Sequence, residues 1–204
     1  MPSGLLALCA YLKCCFGRCS GISFIDSTSL KVCHNRRIHQ HQVFDGLAAR
    51  GKTSVDWFRG FKLHLVVNDQ GELLNLTLTP GNTDDRKPLI QLLKVIFGKV
   101  FADRGYVSSR LAQQLFQTWG IELFAKPRRN MKNRLMRLTD KLLSRKRSII
   151  ETIIDQLKNI SQIEHSRHRS PVNFLVNLVC GLIAYCHQPK KPSLQLEFAL
   201  PRTA

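Results

Sequence analysis

The stretch that most narrows the possible folds is FKLHLVVNDQGELLNLTLT, residues 61–79. Phe61, Leu63, Leu65 and Val67 alternate with Lys62 and His64, a period of two that a pleated strand turns into one apolar and one polar face. Asn68 to Gly71 supplies the residues of a tight turn, and Leu74, Leu76 and Leu78 resume the alternation on the way back. The reading is a β-hairpin whose apolar face demands a further layer to cover it.

The flanking segments specify what joins that hairpin. GISFIDSTSL predicts a short buried strand over Ile22–Ile25 that ends at Asp26. A long basic loop follows from Lys31 to about Arg59, carrying Arg36, Arg37, His39, His41, Arg50, Lys52 and Arg59. After the hairpin, PGNTDDRKPLIQLLKVIF predicts a turn and a helix, its start marked by Asp84 or Asp85 and by Pro88 in the first turn. KVFADRGY is a strand ending at Asp103, SSRLAQQLFQTWG a helix closed by Gly120, and IELFAKP a further strand. A basic connector leads to a helix around RSIIETIIDQLK, and PVNFLVNLVCGLIAYC is a last helix with Ser170 as N-cap and Pro171 at its first position.

Strand, hairpin, helix, strand, helix, strand, helix is a mixed α/β order, with the first three strands antiparallel and the later ones reached through helical crossovers. It is the order of a ribonuclease H-like fold, a mixed sheet flanked by helices. That domain is expected over residues 21–188, with residues 1–20 a residual N-terminal segment and 189–204 a basic, irregular tail.

Charge narrows the function classes. The 204 residues hold 31 Lys and Arg against 14 Asp and Glu, a net charge of +17, and a surplus of that size implies a polyanionic partner such as DNA. A membrane is the other candidate, but Pro171–Cys186 is only 16 residues long and contains Asn173 and Asn177, short of the roughly 20 apolar residues a span needs. GLLALCAYL near the start resembles a signal-peptide core, yet no basic residue precedes it and Lys13 interrupts it. The expectation is a soluble, cytoplasmic protein associated with DNA. Seven cysteines show no C-x2-C pair, which favours reduced thiols over a zinc site.

In the expected fold Asp26 and Asp103 end neighbouring central strands, and Glu151 reaches over from a flanking helix. Two aspartates and a glutamate offer hard oxygen ligands, enough for two Mg²⁺ ions when phosphate oxygens and water complete the shells, with Mn²⁺ as a substitute. Two such ions about 3.5–4 Å apart can activate an attacking oxygen and stabilise a leaving one at a phosphodiester. Each carboxylate also has an ordinary reading: Asp26 as a turn residue before Ser27 and Thr28, Asp103 as a partner for Arg104, and Asp84 and Asp85 as helix caps. On its helix Glu151 lies between Arg147 and Lys158, all three within about 40° of one another around the axis.

The motifs FIDST, VCHNRRI, GFKLHLVVND, LTPGNTDDRKP, ADRGY, RSIIETIIDQLKNISQIEHSRHRS and NLVCGLIAYCHQPKKPSL resemble the catalytic region of bacterial DDE transposases of the insertion-sequence family numbered 982. The similarity runs from about residue 5 to Leu194. It implies that Asp26, Asp103 and Glu151 are the metal-binding catalytic residues of an enzyme that cuts and transfers DNA strands. Related DDE transposases carry Tyr, two residues, Arg, three residues, Glu, six residues, Lys. Arg147, Glu151 and Lys158 match this pattern and Ser144 stands in the place of Tyr. The resemblance therefore implies that Arg147 and Lys158 hold DNA phosphates.

Between Lys126 and Arg147 lie ten Lys or Arg, both ends included, and one acid, Asp140. Lys126, Arg128, Arg129, Lys132 and Arg134 are the expected contacts to duplex DNA, both transposon ends and target, with a homodimer expected on the DNA. Family members carry a helical region for recognising DNA ends ahead of the catalytic core. Here the first aspartate is already at position 26, so that region is expected to be missing. The alternatives in view are a nuclease of the same fold that cleaves without joining, and a silent DNA-binding remnant.

Overall fold

The computed structural model describes residues 2–53, 55–126, 135–165 and 168–194. Helix α1 (Pro2–Cys14) precedes strand β1 (Ile22–Cys33), a 3-10 turn over Asn35–Gln40 and strand β2 (Ala49–Lys52). The hairpin is β3 (Trp57–Asn68) and β4 (Leu73–Pro80). Helix α2 (Leu89–Leu93), β5 (Lys99–Ala102), α3 (Ser109–Trp119) and β6 (Glu122–Ala125) follow, then α4 (Leu138–Arg145), α5 (Ser148–Asn159) and α6 (Pro171–Cys186).

One mixed sheet organises these elements. β1 lies between β3, which it meets antiparallel, and β5, which it meets parallel, with β6 parallel on the far side of β5. β2 and β4 share the other edge of β3, β2 pairing with Trp57–Gly60 and β4 with Phe61–Val67. This is the expected mixed α/β sheet flanked by helices, compatible with a ribonuclease H-like fold.

Alternation along the strands fills two cores. Phe24, Phe61, Leu63, Leu65, Val67 and Phe101 face α5 and α6, while Ile25, Val66, Val100 and Ala102 pack with residues of α2 and α3 on the opposite face. The ends of the covering helices follow local chemistry. Ser108 accepts a bond from the Leu111 N–H and Ser170 one from the Asn173 N–H, and Gly120 closes α3 at φ +65° in the left-handed region. α1 packs on α6 and sends Leu12 into the first core, and the Leu194 N–H donates to the Asp69 carbonyl at 2.7 Å, so both flanks up to Leu194 are docked on the domain. No helix among the described residues is long and apolar enough to cross a membrane.

Three local expectations are corrected. β1 does not end at Asp26 but continues to Cys33, because β3 is long enough to pair with it through Lys31 and so satisfies its backbone past the apolar run. The basic loop from Lys31 to Arg59 is largely structured, holding the end of β1, a 3-10 turn, β2 and the start of β3. α2 has only five residues and no side-chain cap, so Asp84 and Asp85 do not cap it.

Ile153 of α5 is fully buried among the residues facing that helix. Ile153→Ala is expected to destabilise the domain by about 2–5 kcal/mol in urea unfolding, the cost of lost transfer energy plus a residual cavity. An effect below about 1 kcal/mol would mean that α5 is not packed as described.

Candidate active site

The strand period decides which side chains meet. Phe24 packs toward α5 and α6 and Ile25 toward α2 and α3, so Asp26 returns to the α5 face and Ser27 points to the other. The same parity on β5, with Phe101 on the first face and Ala102 on the second, carries Asp103 to the α5 side. β1 and β5 pair Phe24 with Phe101 and Ile25 with Ala102, and the ladder stops there. The next residue of each is an aspartate, on chains about 4.8 Å apart. α5 is anchored by buried Ile149, Ile150, Ile153 and Leu157, which leaves Glu151 57% exposed beside the strand ends.

The three carboxylates converge on one guanidinium. Arg147, immediately before α5, donates from Nη1 to Asp26 Oδ2 at 2.8 Å and from Nη2 to Glu151 Oε1 at 2.5 Å, and Nη2 lies 3.7 Å from Asp103 Oδ1. Asp26 Oδ1 also accepts the Ser27 N–H at 2.8 Å. The Asp26 side chain is only 18% exposed, and burial pushes its pKa up to about 6 although Arg147 and the Ser27 N–H pull it down. For Arg147 burial opposes the charge, but Asp26, Asp103 and Glu151 outweigh it and strengthen the guanidinium's hold on its proton.

A second polar group lies on the opposite face of β1, and sequence reasoning missed it. Asp85 Oδ1 accepts the Ser27 hydroxyl at 3.0 Å and pairs with Lys62 Nζ at 3.0 Å, and Lys62 also donates to the Thr83 carbonyl at 2.9 Å. Tyr106 is buried nearby, and burial with Asp85 and Asp26 holds its hydroxyl protonated. On the same face of β3 as Lys62, His64 is buried against the Thr79 hydroxyl at 2.9 Å, and burial lowers its pKa to about 4. The available signal was Lys62 itself, since a lysine on a covered strand face needs a carboxylate. Asp84, by contrast, is occupied by the Arg86 guanidinium, which holds its carboxyl well below the usual carboxylate range.

The expected DNA-contacting residues are placed unequally. Lys158 Nζ donates to the Ser29 carbonyl at 2.8 Å and pairs with Glu164 at 2.8 Å, fastening α5 to β1. Lys126 is exposed directly after β6, whose last residue Ala125 pairs with Ala102 beside Asp103. Arg128, Arg129, Lys132 and Arg134 lie outside the described residues. Ser144, in the place of Tyr, is half-buried on α4.

Asp26, Asp103 and Glu151 suit a divalent cation in kind, being oxygen donors gathered around one positive charge. In this arrangement Arg147 supplies that charge. Among the described residues no three metal-capable side chains stand close enough to share an ion.

Residues 16–171, about three quarters of the chain, match the family model described as Transposase DDE domain. A search of curated proteins gave no match.

Burial of Asp26 also sets how stability varies with pH. The folded state binds this proton more tightly than the unfolded chain, whose aspartate titrates near 3.8, so stability falls as pH rises from about 4 to about 6 and the full penalty holds above that. Asp26→Asn cannot ionise. In metal-free buffer it is expected to match the native chain at pH 4 and to exceed it at pH 7.5, by up to about 3 kcal/mol in urea unfolding. A variant less stable than the native chain at pH 7.5 would contradict this.

Proposed function

The chain belongs to the transposase DDE domain family, and from that premise we propose that it is the catalytic domain of an insertion-sequence transposase that cleaves and transfers DNA strands with divalent cations held by Asp26, Asp103 and Glu151. The observation that carries the reading is the convergence of these three carboxylates, from two strands and a helix, on the single Arg147 guanidinium. The motifs quoted above support the narrower assignment to the insertion-sequence family numbered 982.

Two cations, Mg²⁺ or Mn²⁺, would supply activation of the attacking oxygen and stabilisation of the leaving one. The chain's own residues do the rest. Arg147, released from the carboxylates, presents a planar fork suited to two oxygens of one phosphate. Lys158 keeps α5 against β1 through the Ser29 carbonyl, which fixes the height of Glu151 above the strand ends. Lys126 and the cations that follow it in sequence, Arg128, Arg129, Lys132 and Arg134, grip the duplex backbone without reading base sequence. Two DNA ends require two such sites, so the working form on DNA is a homodimer.

Plasmid nicking by the purified chain is expected to require Mg²⁺ or Mn²⁺. Asp26→Asn, Asp103→Asn and Glu151→Gln should each abolish it while duplex binding persists. Mn²⁺ should raise the melting temperature of the native chain and lose that effect in the variants, because an ion that binds only the folded state stabilises it. Near-normal cleavage by all three variants would sink the assignment. Neutralising Arg128, Arg129 and Lys132 together should weaken binding to unrelated duplexes by similar factors. It should also flatten the dependence of log affinity on log salt by about 0.9 for each phosphate no longer neutralised.

A further inference from the structure

One cationic surface has no part in the carboxylate site. β2 and the start of β3 form a ribbon that pairs Arg50 with Arg59 and Lys52 with Trp57. The Trp57 side chain is well exposed at 44%, with the Arg50 guanidinium 4.9 Å and the Lys52 ammonium 5.5 Å from its ring centre. The turn between the strands is closed by Thr53 and Asp56, the Asp56 carboxylate accepting the Trp57 N–H at 2.7 Å. Asp45 is paired with Arg59. The Asn35 side chain donates to the Trp57 carbonyl at 2.7 Å, which ties the 3-10 turn bearing exposed Arg36, Arg37 and His39 to the same ribbon. Exposed cations thus outnumber free acids here, around an aromatic ring left in solvent.

Position gives this surface its meaning. Trp57 and Arg59 share the parity of Phe61, Leu63 and Leu65, so the basic ribbon lies on the α5 face of the sheet, the face of Asp26 and Glu151. Leu65 pairs with Asp26, and Trp57 is eight residues earlier on β3, about 27 Å along the strand. That length is about eight base pairs of B-DNA at 3.4 Å each. A rod that stiff spans a fixed distance between two grips, whereas a single strand does not.

We infer that the ribbon of Arg50, Lys52 and Trp57 is a second grip for the duplex whose scissile phosphate lies at the carboxylates, holding it about eight base pairs away. The inference rests on the transposase reading for the identity of the DNA. Arg50 and Lys52, two residues apart and so about 6.8 Å along the strand, meet the backbone over two base-pair rises. Trp57 spreads them and packs against the sugars between.

The test compares the native chain with Arg50→Ala/Lys52→Ala and with Trp57→Phe, each checked for an unchanged melting temperature. A duplex of about 20 base pairs of arbitrary sequence is titrated across a range of salt. The double variant should flatten the salt dependence by about 1.8, two phosphates at 0.9 each. Tryptophan fluorescence of the native chain should change on adding duplex, and the change should vanish in Trp57→Phe, which keeps Trp119. The fluorescence arm decides the matter if the double variant fails to fold. An unchanged slope with no Trp57 response overturns the inference, as does tighter binding of a single strand of equal length. Nicking at saturating DNA separates this from the parent reading. Metal-dependent nicking with no effect of the ribbon variants leaves the transposase reading standing without the second grip. Ribbon effects without any nicking leave the grip and remove the transposase reading.

Discussion

The site depends on where β1 stops pairing with β5. β3 holds β1 along most of its length, whereas β5 holds only Ile22–Ile25. At that point β5 turns into a short 3-10 segment, Arg104–Tyr106, and the side chains that would have continued the apolar alternation are Asp26 and Asp103. In open sheets of this kind the carboxyl ends of parallel strands are where ligands meet the chain, because pairing ends there and the side chains gain access to solvent. A β5 that paired four residues further would have buried both carboxylates between strands and helix with nothing to bind.

Concentrating three carboxylates at one point costs energy even on a chain with a net charge of +17. Like charges about 4 Å apart repel by about 4 kcal/mol at an effective dielectric constant of 20. Arg147 offsets this by touching all three, yet burial still leaves Asp26 with a pKa of about 6. The raised value comes first from desolvation, which the guanidinium and the Ser27 N–H offset only in part.

Much of this was legible in the chain. The hairpin, the helix closed by Gly120, the helix begun at Ser170 and the strand that stops just before Asp103 all rest on local signals that tertiary structure had no reason to override. The second half of β1 was not legible. Asp26, Ser27, Thr28 and Ser29 form a polar run that reads as a turn, and only the length of the partner strand β3 makes them a strand. β2 escaped for a related reason, because ARGK has no apolar alternation and becomes a strand only by pairing on the edge of β3. Arg147 and Glu151 were found as neighbours on one helix face, but that face does not reveal that Arg147 reaches two aspartates from other elements. Lys158, matched to the same pattern, proved to bind a carbonyl of β1 and Glu164.

Asp85, read from the sequence as a helix cap, shows how the two faces of the sheet act together. Asp26 and Ser27 are neighbours that point to opposite sides, so a hold on one constrains the other through their shared peptide. Asp85 and Lys62 fix the Ser27 hydroxyl from the α2 side, while the Ser27 N–H fixes the Asp26 carboxylate on the α5 side. A strand segment with such polar side chains has little apolar burial, and here the two networks add to the β3 ladder that keeps it in place. Asp85 and Asp26 are thus linked through Ser27, which donates its hydroxyl to the first and its N–H to the second, so the two faces of β1 are tied at one residue.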